Sequence, residues 1–265
     1  MECEGNVLKM RPELADPVRY TLPLGENEIQ MNGLLGKQVR FGFTGQINCI
    51  SCGKQTRTSF GLGFCYNCMQ TAPEASESVL RPELSKAHLG IARDMAWAEK
   101  HDLISHFVYL ALSSELKVGV TRHHQIPTRW IDQGASAAII VAETPNRHIA
   151  GIIEVWLKNF FTDKTNWRVM LQDKIADNIS LKEEKLKVKS LLPSELKKYF
   201  LESGEETSIN YPVIRYPEKI KSLSFDNQPE ISGILTGIKG QYLIFENNSV
   251  LNIRKHNGYY LEMSS

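Results

Sequence analysis

At 265 residues, with 42% hydrophobic and 23% charged residues, the chain can bury a core without disulfides and has the composition of a soluble globular protein. A formal net charge of +1 excludes a global basic field that would announce nucleic acid, so such a partner has to be met by a local patch. The longest apolar stretches, near 136–142 and 149–155, fall short of the roughly 20 residues a membrane helix requires. Met1–Gly5 lacks the basic start and apolar run of a signal peptide. The expected location is the cytoplasm, with no membrane partner.

Residues 1–47 read as an N-terminal β segment: 18–43 holds short strands broken by Gly25, Gly33 and Gly36, with β-formers at Val39, Phe41 and Phe43. Residues 48–70 hold four cysteines. Residues 71–104 open with a Pro/Ser/Glu-rich connector, after which Ser85 is expected to cap a helix carrying Ala87, Ile91, Met95 and Ala98 at helical spacing. Residues 105–180 form an α/β module. Within 181–265, the pair Ser180 and Glu183 makes a capping-box start for a Lys-rich helix, and Pro193 is expected to restart a second helix ending near Gly204. The tail turns to strands at 242–245, 250–253 and 259–261, and Asn257-Gly258 between apolar runs predicts a hairpin.

The cysteines carry the sharpest chemical signal. Cys49 and Cys52 are two residues apart, as are Cys65 and Cys68, and 12 residues separate the pairs. Each pair presents two thiolates from one tight turn, and together they complete the tetrahedron that zinc favours. Four filled positions leave no open coordination site, so the expected role is structural. A redox dithiol is the competing reading, but such cysteines come as one pair at a helix start. Cys3 falls outside the pattern and reads as a free thiol. The loop cations Lys54 and Arg57, with Tyr66 and Asn67, are suited either to phosphate and base or to a solvated surface.

In the 105–180 module, Phe107-Val108-Tyr109 opens a first strand and 117–121 makes a second. Arg129 begins a short helix closed by Gly134, 138–142 supplies a third strand, and 147–161 a long helix. Over about sixty residues this resembles the GIY-YIG endonuclease superfamily, whose two short motif strands precede a helix with an arginine and a later helix with a glutamate. With the ribbon, most of the chain also resembles a bacterial family of unknown function in which a zinc ribbon precedes such a module.

The resemblance implies roles position by position. Tyr109 matches the tyrosine of the first motif, Gly119 the glycine of the second, Arg129 the helix arginine, Glu154 the metal-binding glutamate, and Asn166 an asparagine that follows the long helix. Arg129 would offset charge at phosphorus, and Mg2+ or Mn2+ on Glu154 would polarise a phosphate oxygen. Two positions depart from the pattern. Lys117 replaces the second-motif tyrosine, as in one branch of the superfamily, and Gln133 stands where a histidine often follows the arginine. His123 and His124 lie in the loop nearby. Between Lys117 and Trp130 the only charged residues are the cations Lys117, Arg122 and Arg129, which with the two histidines form a phosphate-facing stripe. Singly, each has an ordinary reading: Tyr109 as a core aromatic, Arg129 as a brace, Glu154 as an i,i+4 partner of Lys158.

The expected fold is α+β, a small antiparallel sheet with flanking helices, plus a zinc ribbon and N- and C-terminal β segments that pack side by side. The expected function is nucleic-acid binding, to DNA or RNA, on a nuclease-like scaffold with an altered catalytic set that holds Tyr109, Lys117, Arg129 and Glu154. An active metal-dependent endonuclease is the alternative, and a zinc-stabilised scaffold for a protein partner is a third reading.

Overall fold

In the computed structural model, which describes residues 1–162, 165–174 and 179–265, the chain folds as two units: Met1–Ala75 with Ile209–Ser265, and Ser76–Ser208. The first unit begins with β1 (Glu2–Asn6), β2 (Arg11–Glu13), β3 (Arg19–Leu24), β4 (Asn27–Gln30) and the long β5 (Gln38–Asn48). Strands β2, β3 and β4 form a three-stranded antiparallel sheet. After β5 come the short β6 (Gln55–Thr56), which pairs with it, and α1 (Tyr66–Thr71).

In the second unit Ser85 does not open a helix. Its hydroxyl is buried and donates to Asp102 at 3.0 Å. The apolar spacing from Ala87 to Ala98 is broken by Gly90, whose φ of 74° ends a 3-10 turn at Ala87–Leu89. Asp94 then caps α2 (Met95–His101), accepting from the Trp97 amide at 2.9 Å. There follow β7 (His106–Leu112), β8 (Leu116–Arg122), α3 (Thr128–Asp132), β9 (Ala137–Thr144), α4 (Arg147–Leu157), α5 (Trp167–Leu171), α6 (Leu181–Leu191) and β10 (Thr207–Ser208). Ser180 caps α6 as expected, but the helix expected from Pro193 is reduced to a 3-10 turn at Lys197–Tyr199. The sheet runs β10-β9-β7-β8, with antiparallel neighbours throughout and β8 at an edge. Val108, Leu110, Ile139 and Val141 alternate inward from β7 and β9. They pack with Ala150, Ile153 and Leu157 of α4 and with Leu181 and Val188 of α6.

The chain of the first unit resumes with β11 (Lys221–Leu223), β12 (Glu230–Lys239), β13 (Tyr242–Phe245), β14 (Ser249–Asn252) and β15 (Tyr259–Ser264). Its larger sheet has the order β1-β15-β5-β12-β13-β14-β11. The expected hairpin at Asn257-Gly258 does not form. A 3-10 turn at Ile253–His256 redirects the chain, and β15 runs between β1 and β5 instead of back along β14. The outcome is a mixed α+β fold of several antiparallel sheets with few helices. Among the described residues no helix is long and apolar enough to cross a membrane.

His106, at the start of β7, is fully buried, and its Nδ1 lies 2.8 Å from the Ile104 carbonyl. Burial first, then the charges of Arg147 and Arg122, bring its pKa down to about 4. The neutral ring therefore favours the fold: this contribution is complete above the ordinary value of about 6.5 and is lost as pH falls toward 4. His106→Gln should lose less stability than the natural protein between pH 7 and pH 4, by on the order of 3 kcal/mol, measured by urea unfolding. Parallel pH profiles of the two proteins would refute this.

Candidate functional site

Four thiols come together where β5 ends. Asn48 donates from Nδ2 to the Gly53 carbonyl at 3.0 Å, and the Cys49 amide donates to the Lys54 carbonyl at 2.9 Å. Gly53, at a φ of 72°, supplies the left-handed residue that folds this first knuckle back into β6. In the second knuckle Phe60 and Phe64 exchange backbone hydrogen bonds at 2.8 Å, and Cys65 caps α1 by accepting from the Cys68 amide at 3.5 Å. The Sγ atoms of Cys49, Cys52, Cys65 and Cys68 all lie within 4.8 Å of one another, with Cys52 and Cys65 at 3.9 Å. Zinc–sulfur bonds of about 2.3 Å place tetrahedral ligands about 3.8 Å apart. The four cysteines are thus positioned to bind one metal ion, and the donor set fits structural zinc.

Titration behaviour reflects the crowding. Burial acts to raise the Cys49 thiol, but backbone amides of Cys52, Cys65 and Ser51 bring it down to about 6. Hydrogen bonding with Cys65, then burial, pushes Cys68 up to about 12. A cation among the sulfurs is what would let all four be thiolates. Around the knuckles Lys54, Arg57, Tyr66 and Asn67 are all exposed. Cys3 stands apart on β1, its pKa raised by burial.

A second arrangement lies at the edge of the β10-β9-β7-β8 sheet. Tyr109 of β7 is paired with Gly119 of β8, and Ala111 with Lys117. Alternation therefore puts Lys117 and Gly119 on the strand face that meets Tyr109. Tyr109 is fully buried and donates to Gln133 Oε1 at 3.0 Å. A Cβ at residue 119 would lie 2.6 Å from the tyrosine oxygen. Burial raises the phenol's pKa, against the lowering influence of the Arg129 charge. Lys117 donates from Nζ to Thr165 Oγ1 at 2.8 Å, and Glu154 sits 3.4 Å from Lys158 Nζ.

These residues line a single cavity of about 160 Å3: Tyr109, Lys117 and Gly119 from the strands, Arg129 and Gln133 from α3 and its end, and Arg147, Glu154 and Lys158 from α4 and its C-terminal end. Arg147 is anchored, donating to the carbonyls of Ser78 and Val79 at 2.7 Å with Asp102 Oδ1 at 3.8 Å. Burial, partly offset by Asp102, lowers its pKa to about 10, so it is a cation at neutral pH.

The other expected residues are placed elsewhere. Arg122 donates to the His101 carbonyl at 3.1 Å and lies over the Trp97 ring at 5.4 Å. His123 and His124 are exposed in a 3-10 turn, His123 facing the Ser105 carbonyl at 3.2 Å. Asn166 caps α5, accepting from the Val169 amide at 3.4 Å. Arg147 and Lys158 are cavity residues that the sequence reading did not assign. Their spacing from Glu154, seven before and four after, places all three on one helical face and was the available signal.

Fold and cysteine cluster together define an α+β protein with four cysteines positioned to bind one metal ion. The chain belongs to the family described as protein of unknown function DUF2797, whose model matches residues 36–261. No curated protein and no solved structure matches it.

The purified protein should carry about one zinc per chain by elemental analysis, and Cys65→Ser should lose the metal and melt at lower temperature. A metal-free preparation with unchanged melting would end the zinc assignment. Gly119→Ala should destabilise the fold by about 1–3 kcal/mol in urea unfolding, because the buried tyrosine has no space to yield. A neutral effect would show that the strand pair is looser than the contact implies.

Proposed function

We propose that this protein binds nucleic acid, DNA or RNA, through the cavity of the second unit, on a scaffold similar to the GIY-YIG endonucleases with an altered catalytic set. The observation that carries this reading is the convergence of Tyr109, Lys117, Gly119, Arg129 and Glu154 on one cavity. They stand on two adjacent antiparallel strands, a short helix and a later long helix, which is the order the resemblance implies. Asn166, in its capping role, contributes to this surface at most by holding α5 beside the strands.

The chemistry favours binding over cleavage. Lys117 already donates from Nζ to Thr165 Oγ1 at 2.8 Å, and as a donor on the cavity wall it would meet a phosphate oxygen and not take a proton from water. Tyr109, with its pKa raised by burial, stays a phenol and donates. The Glu154 carboxylate already faces Lys158, and a Mg2+ or Mn2+ ion there would compete with that ammonium and with the cations beside it. Exposed Lys54, Arg57 and Tyr66 on the ribbon are suited to further phosphate and base contacts, and the zinc would hold their loop in shape.

Replacing Lys117 and Arg129 together by Ala should weaken binding to DNA or RNA and flatten its salt dependence by up to roughly two counterions. Circular dichroism would confirm that the variant folds. An unchanged salt slope would shift the reading to a zinc-stabilised scaffold for a protein partner. Incubation with branched and linear DNA and with structured RNA, in magnesium and then manganese, should give weak or no cleavage, and Glu154→Gln should leave binding nearly intact. Robust turnover abolished by Glu154→Gln would make the protein an active metal-dependent endonuclease.

A further inference from the structure

We propose that the cavity takes the terminal phosphate of a nucleic-acid strand in preference to an internal phosphodiester; this rests on the phosphate-binding reading above and specifies its ligand. Three observations point there. The first is size. About 160 Å3 is several times a water's share of liquid volume, about 30 Å3, and below the roughly 300 Å3 at which pockets for whole small molecules begin. A phosphate group fits such a space.

The second is depth. Tyr109, Lys117, Arg147 and Glu154 are 0%, 4%, 7% and 9% exposed. A segment of chain walls them in: Val79, Leu80 and Pro82 line the cavity, and Arg147 holds the carbonyls of Ser78 and Val79. The same segment lies against α4 so closely that a Cβ on Gly151 would fall 2.2 Å from the Glu83 amide nitrogen. An internal phosphodiester would have to bring two flanking sugars to this depth. A terminal phosphate enters with one substituent trailing to solvent.

The third is charge. Among the described residues, Lys117, Arg129, Arg147 and Lys158 bring four positive charges to the cavity wall, and Glu154 with Asp102 behind Arg147 removes two. The remaining double charge matches a phosphate monoester, which carries about −1.5 to −2 at neutral pH, better than a diester with its single charge. At the rim Leu80 is 84% exposed, a large apolar surface beside the path of the trailing nucleotide, where it can cover the terminal base.

The test uses the full-length protein and short single-stranded DNA and RNA oligonucleotides of one sequence, labelled internally, with 5′-phosphate, 3′-phosphate or hydroxyl ends. Fluorescence polarisation should give at least about tenfold tighter binding for a phosphorylated end. Arg129→Ala should remove that preference, and Leu80→Ser, an exposed change that leaves the fold intact, should weaken binding of the phosphorylated end severalfold. Equal affinity for phosphorylated and hydroxyl ends, still lowered by Arg129→Ala, would overturn this inference and leave the phosphate-binding function standing. No binding of any oligonucleotide would overturn both. Competition by inorganic phosphate or a nucleoside monophosphate as effective as by the phosphorylated oligonucleotide would identify a free phosphate ester as the ligand and refute the strand-end proposal.

Discussion

Tyr109 lies against β8 only because residue 119 is glycine, and the charged cavity depends on that contact. Any larger residue would drive a Cβ to 2.6 Å from the phenolic oxygen. With glycine there, the tyrosine is fully buried between its strand neighbour and α3, its hydroxyl held by Gln133 and its ring edge-on to Trp130 at 6.0 Å. The antiparallel register then fixes Lys117 two residues from the glycine, opposite Ala111, whose small side chain leaves the ammonium room to reach Thr165. Because β8 is an edge strand, α4 can bring Arg147, Glu154 and Lys158 to the same cavity that α3 supplies with Arg129. A central strand would be covered by a neighbour on each side and could not gather groups in this way.

Charges kept out of water cost several kcal/mol each unless they are paired or meet a ligand. The cavity wall uses pairing. Arg147 is committed to two carbonyls and Asp102, and Lys158 to Glu154. Lys117 donates to the Thr165 hydroxyl, and Arg129 approaches the Tyr109 phenol.

Local signals in the sequence were read correctly where one short-range interaction decides the outcome. The two Cys-x-x-Cys knuckles, the Ser180 cap, Gly134 after α3 and the strand pair around Tyr109 all belong to this kind. The failures have physical causes. Ala87, Ile91, Met95 and Ala98 keep helical spacing, but Gly90 in a left-handed conformation and the Asp94 cap cut the segment. Asn257-Gly258 has hairpin chemistry, yet Gly258 is held against the Asn48 carbonyl and delivers the chain to β5, a choice made by long-range pairing. Strand β12 was not recognised because Gly233 and Gly237 interrupt its alternation; Phe245 and Val213 pack over those two gaps. Of the cavity, the residues on motif strands and helices were legible. Arg122 and the loop histidines were not separable from it, because sequence proximity does not say which way an edge-strand end turns.

The cysteine cluster obeys a different constraint. Its local apolar core consists of buried Cys49, Phe64 and Ala72, with Met69 and Ala75 partly buried against them. A core this small offsets little of the entropy lost in ordering the loop. Part of the deficit is met by the sheet, where Asn48 holds Gly53 and Asn257 donates to the Leu62 carbonyl at 3.1 Å. A metal on the four thiols would add to this, because the binding energy of a structural site is folding energy. A site that spends its whole coordination shell on folding has no position left for a substrate. The second unit, by contrast, rests on a packed apolar core between sheet and helices. The four-cysteine cluster and the charged cavity are therefore carried by different units.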